Sequence, residues 1–157
     1  MIYSKSAEYG IQAMIYLAEH EHEGGKLAMV SIIAEAYDIP RHFLAKLVQT
    51  LTRHHLIKSY RGRKGGIKLA RPSETITLLQ VVNAIEGPPP EYDMCVIGLD
   101  ICSDAACCPL HNQWKHIKEE VREALSQQTL AELANGMREK REQLAKLSSA
   151  GRRKTAP

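Results

Sequence analysis

What the chain lacks narrows its class first. Its 157 residues contain no apolar run approaching a membrane span, so no transmembrane helix is expected. The opening stretch, MIYSKSAEYG, carries no apolar core of the kind a secretory signal needs. Both absences predict a cytoplasmic protein. Catalytic signatures are missing as well. The seven histidines form no His-Glu-x-x-His pair, and no Gly-x-Ser-x-Gly elbow occurs. No enzyme is expected, and no small-molecule substrate is evident. The glycine-rich GRKGG lacks the longer Gly–Gly gap, closed by Lys and then Ser or Thr, of a nucleotide-binding loop. Acidic residues are absent from position 41 through position 71, and cysteine is absent outside positions 95–108.

What is present gives those gaps meaning. Hydrophobic residues make up 44% of the chain and charged residues 25%, ordinary globular values. The length allows one domain with a core, or a small domain plus an appendage. The cysteines are therefore not substituting for a missing core. Net charge is only +3, but the acid-free stretch from Arg41 to Arg71 holds nine Lys or Arg residues. A run of one sign attracts polyanions. The alternative is a solvated face whose acidic partners lie elsewhere in the fold.

Hydrophobic spacing predicts a helix over 6–20, with Ala7, Ile11, Met14, Ile15 and Ala18 on one stripe and Ser6 as N-cap. A short helix follows at about 31–37, with Ile33 and Tyr37 turned inward. Pro40 suits the first turn of a third helix, whose inward stripe is Leu44, Leu47, Val48 and Leu51. The opposite face, His42, Ala45, Lys46, Gln49 and Arg53, is polar and basic. Leu56–Tyr60 and Ile67–Ala70 read as strands flanking a basic turn with Arg61, Arg63 and Lys64 at its tip. A fourth helix, 77–86, opens on a Thr77/Gln80 capping box, buries Leu78, Leu79, Val82 and Ile85, and stops at Gly87 and three prolines. These first 87 residues are expected to close as a unit. Pro109 then opens a long helix in which Leu110, Trp114, Ile117, Val121 and Leu125 form a narrow seam. Such a seam suits pairing with another helix, so a homodimer is expected. Thr129 and Glu132 form a capping box before a further helical stretch.

Three helices followed by a two-stranded hairpin is the order of a winged helix-turn-helix. In that design the third helix enters the major groove, and the wing reaches phosphates or the minor groove. The acid-free stretch coincides with those two elements. Double-stranded DNA is the expected partner, as a pseudo-palindromic operator. The candidate contacts are Arg41, His42, Lys46, Gln49, Arg53, Arg61, Arg63 and Lys64, with His42, Lys46 and Gln49 aimed at base edges.

The cysteines fall in CVIGLDICSDAACCPLH, with the spacing Cys95-x6-Cys102-x5-Cys108-x2-His111. A disulfide set is disfavoured in a reducing compartment. Structural zinc usually takes two close cysteine pairs, which this spacing does not offer. A bare thiol switch remains open. An iron–sulfur cluster is the favoured reading, because cluster irons take thiolates and an imidazole can replace one. Gly98, Ser103, Ala105 and Ala106 let a loop wrap a compact core. Cys108 is expected at a helix N-cap, where the dipole stabilises a thiolate, with His111 one turn in.

RGRKGGIKLAR following IPRHFLAKLVQTLTRHHLI resembles the wing and recognition helix of the IscR-type winged-helix regulators, a bacterial family that includes the iron–sulfur-cluster regulator and nitric-oxide-sensing repressors. SKSAEYGIQAMIYLA is similar to their first helix, and the resemblance covers roughly residues 1–135. It implies a cluster held by Cys95, Cys102 and Cys108. The fourth ligand it implies is His111, or Glu8 from the first helix of the other subunit. A [2Fe–2S] cluster is favoured and [4Fe–4S] is the alternative. Cys107 would then be the spare cysteine. At Ala45 the iron–sulfur-cluster regulator carries an acid, so its operator does not transfer here.

The expected architecture is mainly α with a small β-wing: a winged helix-turn-helix domain (1–87), a cysteine-rich cluster-binding loop (88–111), a dimerisation helix and C-terminal helical segment (112–147), and a disordered tail (148–157). The expected function is a DNA-binding transcriptional regulator that senses redox state, nitric oxide or iron–sulfur status. A zinc-stabilised DNA-binding regulator and an iron–sulfur electron carrier are the alternatives.

Overall fold

The computed structural model describes residues 3–21, 26–62, 64–87, 97, 104–105 and 107–152. Helices α1 (Lys5–Glu19), α2 (Val30–Ala36) and α3 (Arg41–Arg53) precede a hairpin of β1 (Ile57–Tyr60) and β2 (Gly66–Leu69). A single 3-10 turn, Ser73–Thr75, leads into α4 (Leu78–Glu86), and α5 (His111–Gln127) and α6 (Leu130–Arg152) follow.

Leu44, Leu47, Val48 and Leu51 of α3 are all buried, as their spacing requires. The cap of α1 differs from expectation. Ser4, not Ser6, is the N-cap, its hydroxyl accepting the Ala7 N–H at 3.2 Å. Ser6 lies inside the helix. Pro40 stands one position before α3, as its N-cap, rather than in the first turn. The Thr77/Gln80 capping box forms, but α4 buries Leu78, Val81, Val82 and Ala84, while Leu79 and Ile85 are half-buried. The helix is clasped on two sides, so its buried face is wider than one stripe. Where α1 crosses α4, a Cβ on Gly10 would run into Cδ1 of Ile85, so glycine permits the close approach.

The strands pair antiparallel in the register Ile57↔Leu69, Lys58↔Lys68, Ser59↔Ile67, Tyr60↔Gly66. Ala28 adds a bridge on the far edge of β2, exchanging both backbone hydrogen bonds with Ile67 at 2.9 and 2.8 Å. Gly66 is required there, because a Cβ would lie 2.8 Å from the Ala28 carbonyl oxygen.

The first 87 residues do not close by themselves. Leu130 and Ala134 of α6 are buried in the common core, with Leu133 and Met137 packed against it. The α5–α6 junction is tied to the start of α4: Leu78 N–H donates to the Gln128 carbonyl and Leu130 N–H to the Ile76 carbonyl, each at 2.9 Å. Helix α5, about 25 Å long, packs against the shorter α4, and α6 packs against α1. The last helix continues to Arg152, into the segment expected to be an unstructured tail, and residues 153–157 lie outside the described residues, as do Pro88–Pro90.

His55, just past α3, has φ of 56°, while Leu56 N–H closes the turn onto the Leu51 carbonyl at 3.0 Å. A left-handed residue with a Cβ is strained there. Replacing His55 with Gly should raise stability by about 0.5–1 kcal/mol, the relief of strain less the entropy glycine adds to the unfolded chain. The denaturation midpoint should rise with unchanged m-value.

Candidate functional site

The helix-turn-helix is built from α2, a tight turn and α3. Asp38 takes φ of 52° in the turn, and Ile39 N–H returns to the Ala34 carbonyl at 2.8 Å. Arg41, His42, Lys46, Gln49 and Arg53 are all exposed on α3, and Ala45 is half-buried among them. The Arg53 guanidinium donates to the Thr50 hydroxyl at 3.2 Å, which holds it along the helix end. On the wing, Arg61 and Lys64 are exposed at the tip, where Gly62 has φ of 103° and its carbonyl accepts the Gly65 N–H at 2.9 Å. Arg63 lies outside the described residues.

Among the described residues, no carboxylate forms an ion pair with any cation from Arg41 to Arg71. Arg71 bonds the neutral Gln80 side chain at 2.9 Å. The acid-free run in sequence is thus not neutralised by carboxylates from elsewhere in the described fold, and its field is directed to solvent.

The cysteine loop is described in part, and Cys95 and Cys102 lie outside the described residues. Cys108 is half-buried, and its carbonyl accepts the His111 N–H at 3.0 Å. Leu110, not Cys108, occupies the N-cap of α5, and Pro109 sits in the preceding turn. The proline ring fixes φ but not the position of the first helical residue, and the helix begins two residues after it. Cys108 thus lies two residues outside the N-cap, farther from the end of the helix dipole than expected. Cys107 is exposed, its thiol donating to the Asp104 carbonyl at 3.3 Å.

His111 is 5% exposed, and its Nε2 lies 2.9 Å from Oδ1 of Asp104. Lys115 reaches the other carboxylate oxygen at 3.1 Å. The His111 hydrogen bond, then Lys115, hold the Asp104 carboxyl below the usual carboxylate range. Asp104 is a residue the motif reading passed over. A carboxylate flanking a Cys/His cluster is the usual orienting partner of a ligand histidine, and that is the signal which could have found it. Glu8 on α1 pairs with Lys5 at 2.7 Å. Among the described residues, no group of three or more His, Cys, Asp or Glu is assembled to hold a metal. On α5, Ile117 is 46% exposed, whereas Trp114, Val121 and Leu125 are half-buried, Leu125 against the chain's own core.

An exposed basic third helix beside a basic hairpin tip defines a winged-helix DNA-binding protein. Residues 3–136 match the Rrf2 family, described as iron-dependent transcriptional regulators, and the chain belongs to that family. It is a transcriptional regulator rather than an enzyme. An HTH-type transcriptional regulator of Aquifex aeolicus is 31% identical over 86% of this chain and 92% of its own. Among solved structures, the global cysteine regulator CymR of B. subtilis is 31% identical with a TM-score of 0.69, covering 84% of this chain and 95% of that one. IscR of T. potens is 29% identical with a TM-score of 0.66, covering 85% of this chain and 86% of that one. The resemblance to IscR-type regulators and the winged-helix fold class hold. Among the described residues, no helix is long and apolar enough to cross a membrane.

Proposed function

We propose that this regulator is a homodimer that binds a pseudo-palindromic operator and senses redox state, nitric oxide or iron–sulfur supply through an iron–sulfur cluster. Cys95, Cys102 and Cys108 would hold the cluster, with His111 as fourth ligand and Glu8 as the alternative. One observation carries the reading: a buried histidine, fixed through Nε2 by Asp104, one turn from a half-buried cysteine. A carboxylate on one ring nitrogen sets the tautomer and raises the basicity of the other, the arrangement that metal-ligating histidines use. Three thiols and an imidazole fit a [2Fe–2S] cluster, which would supply a redox couple tuned by its ligands and burial.

The chain supplies a route from the loop to the DNA. The cysteine loop leads into α5, α5 is tied at its far end to α4, and α6 packs against α1. Arg141 of α6 donates to Glu19 at 2.7 Å and to the Tyr37 hydroxyl at 3.4 Å. Tyr37 stands at the turn before the recognition helix, and burial, then the Glu19 charge, push its phenol up. A reordered loop would shift α5 and α6 against that turn and change the separation of the two recognition helices. Half-site spacing is fixed by DNA geometry, so a small shift lowers affinity.

Anaerobic purification should give a coloured protein containing iron and sulfide but no zinc, whose DNA affinity changes when the cluster is removed. A colourless zinc protein that binds DNA would refute the sensor reading. A coloured protein that ignores DNA would point to electron transfer instead.

A further inference from the structure

The hairpin has two faces, set by strand alternation. Ile57, Ile67 and Leu69 are buried on the inner face. The outer face carries Lys58, Lys68 and Tyr60. Lys58 and Lys68 are register partners, directly opposite each other. Like charges at such a position are destabilising. Among the described residues no carboxylate forms an ion pair with either, and the Lys68 ammonium lies 5.5 Å from the centre of the Tyr60 ring. Tyr60 is diagonal to Lys68 across the strands and 44% exposed, so the ring holds the ammonium against the sheet without neutralising it.

We propose that this outer face, Lys58 with Lys68 seated on Tyr60, is a second phosphate-docking surface, gripping the DNA backbone alongside the groove entered by the wing tip. Two unneutralised cations facing each other are a stability cost in the free protein and an advantage only against a polyanion. The inference rests on the winged-helix docking of α3 and the tip, and extends the contact beyond them. Lys58 and Lys68 act on affinity and its salt dependence, not on sequence choice.

The test uses the full chain, purified anaerobically, and an operator duplex selected from a random-sequence pool. Lys58→Gln should lower the slope of log affinity against log salt by about 0.9, and Lys58→Gln with Lys68→Gln by about 1.8. Affinity should fall equally for the operator and for a mixed-sequence duplex. Free Lys58→Gln should melt about 1–3 °C higher, because the repulsion is relieved. An unchanged slope in the double variant, with Lys46→Ala and Arg61→Ala still weakening binding, would overturn the outer-face proposal alone. If all of these variants kept wild-type affinity and slope, the winged-helix docking would fail with it. A weakened Lys58→Gln that melts lower than wild type would assign the loss to folding and also overturn the proposal.

Discussion

Cys107→Ala should reconstitute anaerobically to a cluster-bearing, DNA-responsive protein, while Cys108→Ala should remain colourless. Adjacent side chains leave the backbone in different directions, so only one of the two should face a compact cluster. Cys107 is exposed, with its thiol turned back onto the Asp104 carbonyl, a weak bond whose loss is minor. Cys108 is half-buried, and its own carbonyl is tied to the His111 amide, which puts the two proposed ligands in one turn. Cys95→Ala and Cys102→Ala should behave like Cys108→Ala. Asp104→Asn should retain colour but lose it faster, since removing the partner of a ligand histidine typically weakens metal affinity about 10–100-fold. Absorbance with iron and sulfide analysis reads all five variants. A colourless Cys107→Ala beside a normal Cys108→Ala would move the ligand assignment by one residue and remove the spacing argument for His111.

Local features of this fold are the ones sequence spacing exposes. The α3 stripe, both capping boxes and the wing glycines are short-range patterns, and each constrains only a few neighbouring residues. The Ser4 cap was not separable from Ser6, because two serines precede the same apolar stripe and only the Ala7 amide decides between them. Leu130, Leu133, Ala134 and Met137 fall at helical spacing, so α6 visibly has an apolar face. The spacing does not say which surface covers it, and α1 does. Asp104 is harder still. Its contact with His111 joins a loop side chain to a helix start, and no periodicity marks such a pair.

Ile117→Glu combined with Val121→Glu should convert the proposed dimer to a folded monomer. On the single chain Ile117 is 46% exposed and Val121 half-buried, on a helix that also packs against α4. A two-fold interface presents the same patch from both partners, so each substitution introduces two carboxylates. Placing an unpaired charge in an apolar interface costs several kcal/mol, enough to abolish ordinary dimer affinities. Sedimentation should give the mass of one chain, with helical circular dichroism retained. Operator affinity should collapse toward that of a single half-site, since one winged helix remains. Leu125→Glu separates assembly from folding. Leu125 packs on the chain's own core, so its replacement should lower the melting temperature of the monomer and not merely dissociate the dimer. If the double variant does not fold, Ile117→Ala provides the milder step, a dimer that dissociates on dilution at higher concentration than wild type. A double variant that is folded and fully dimeric would refute the α5 seam and leave the exposed α6 residues Leu144 and Leu147 as the surface to test next.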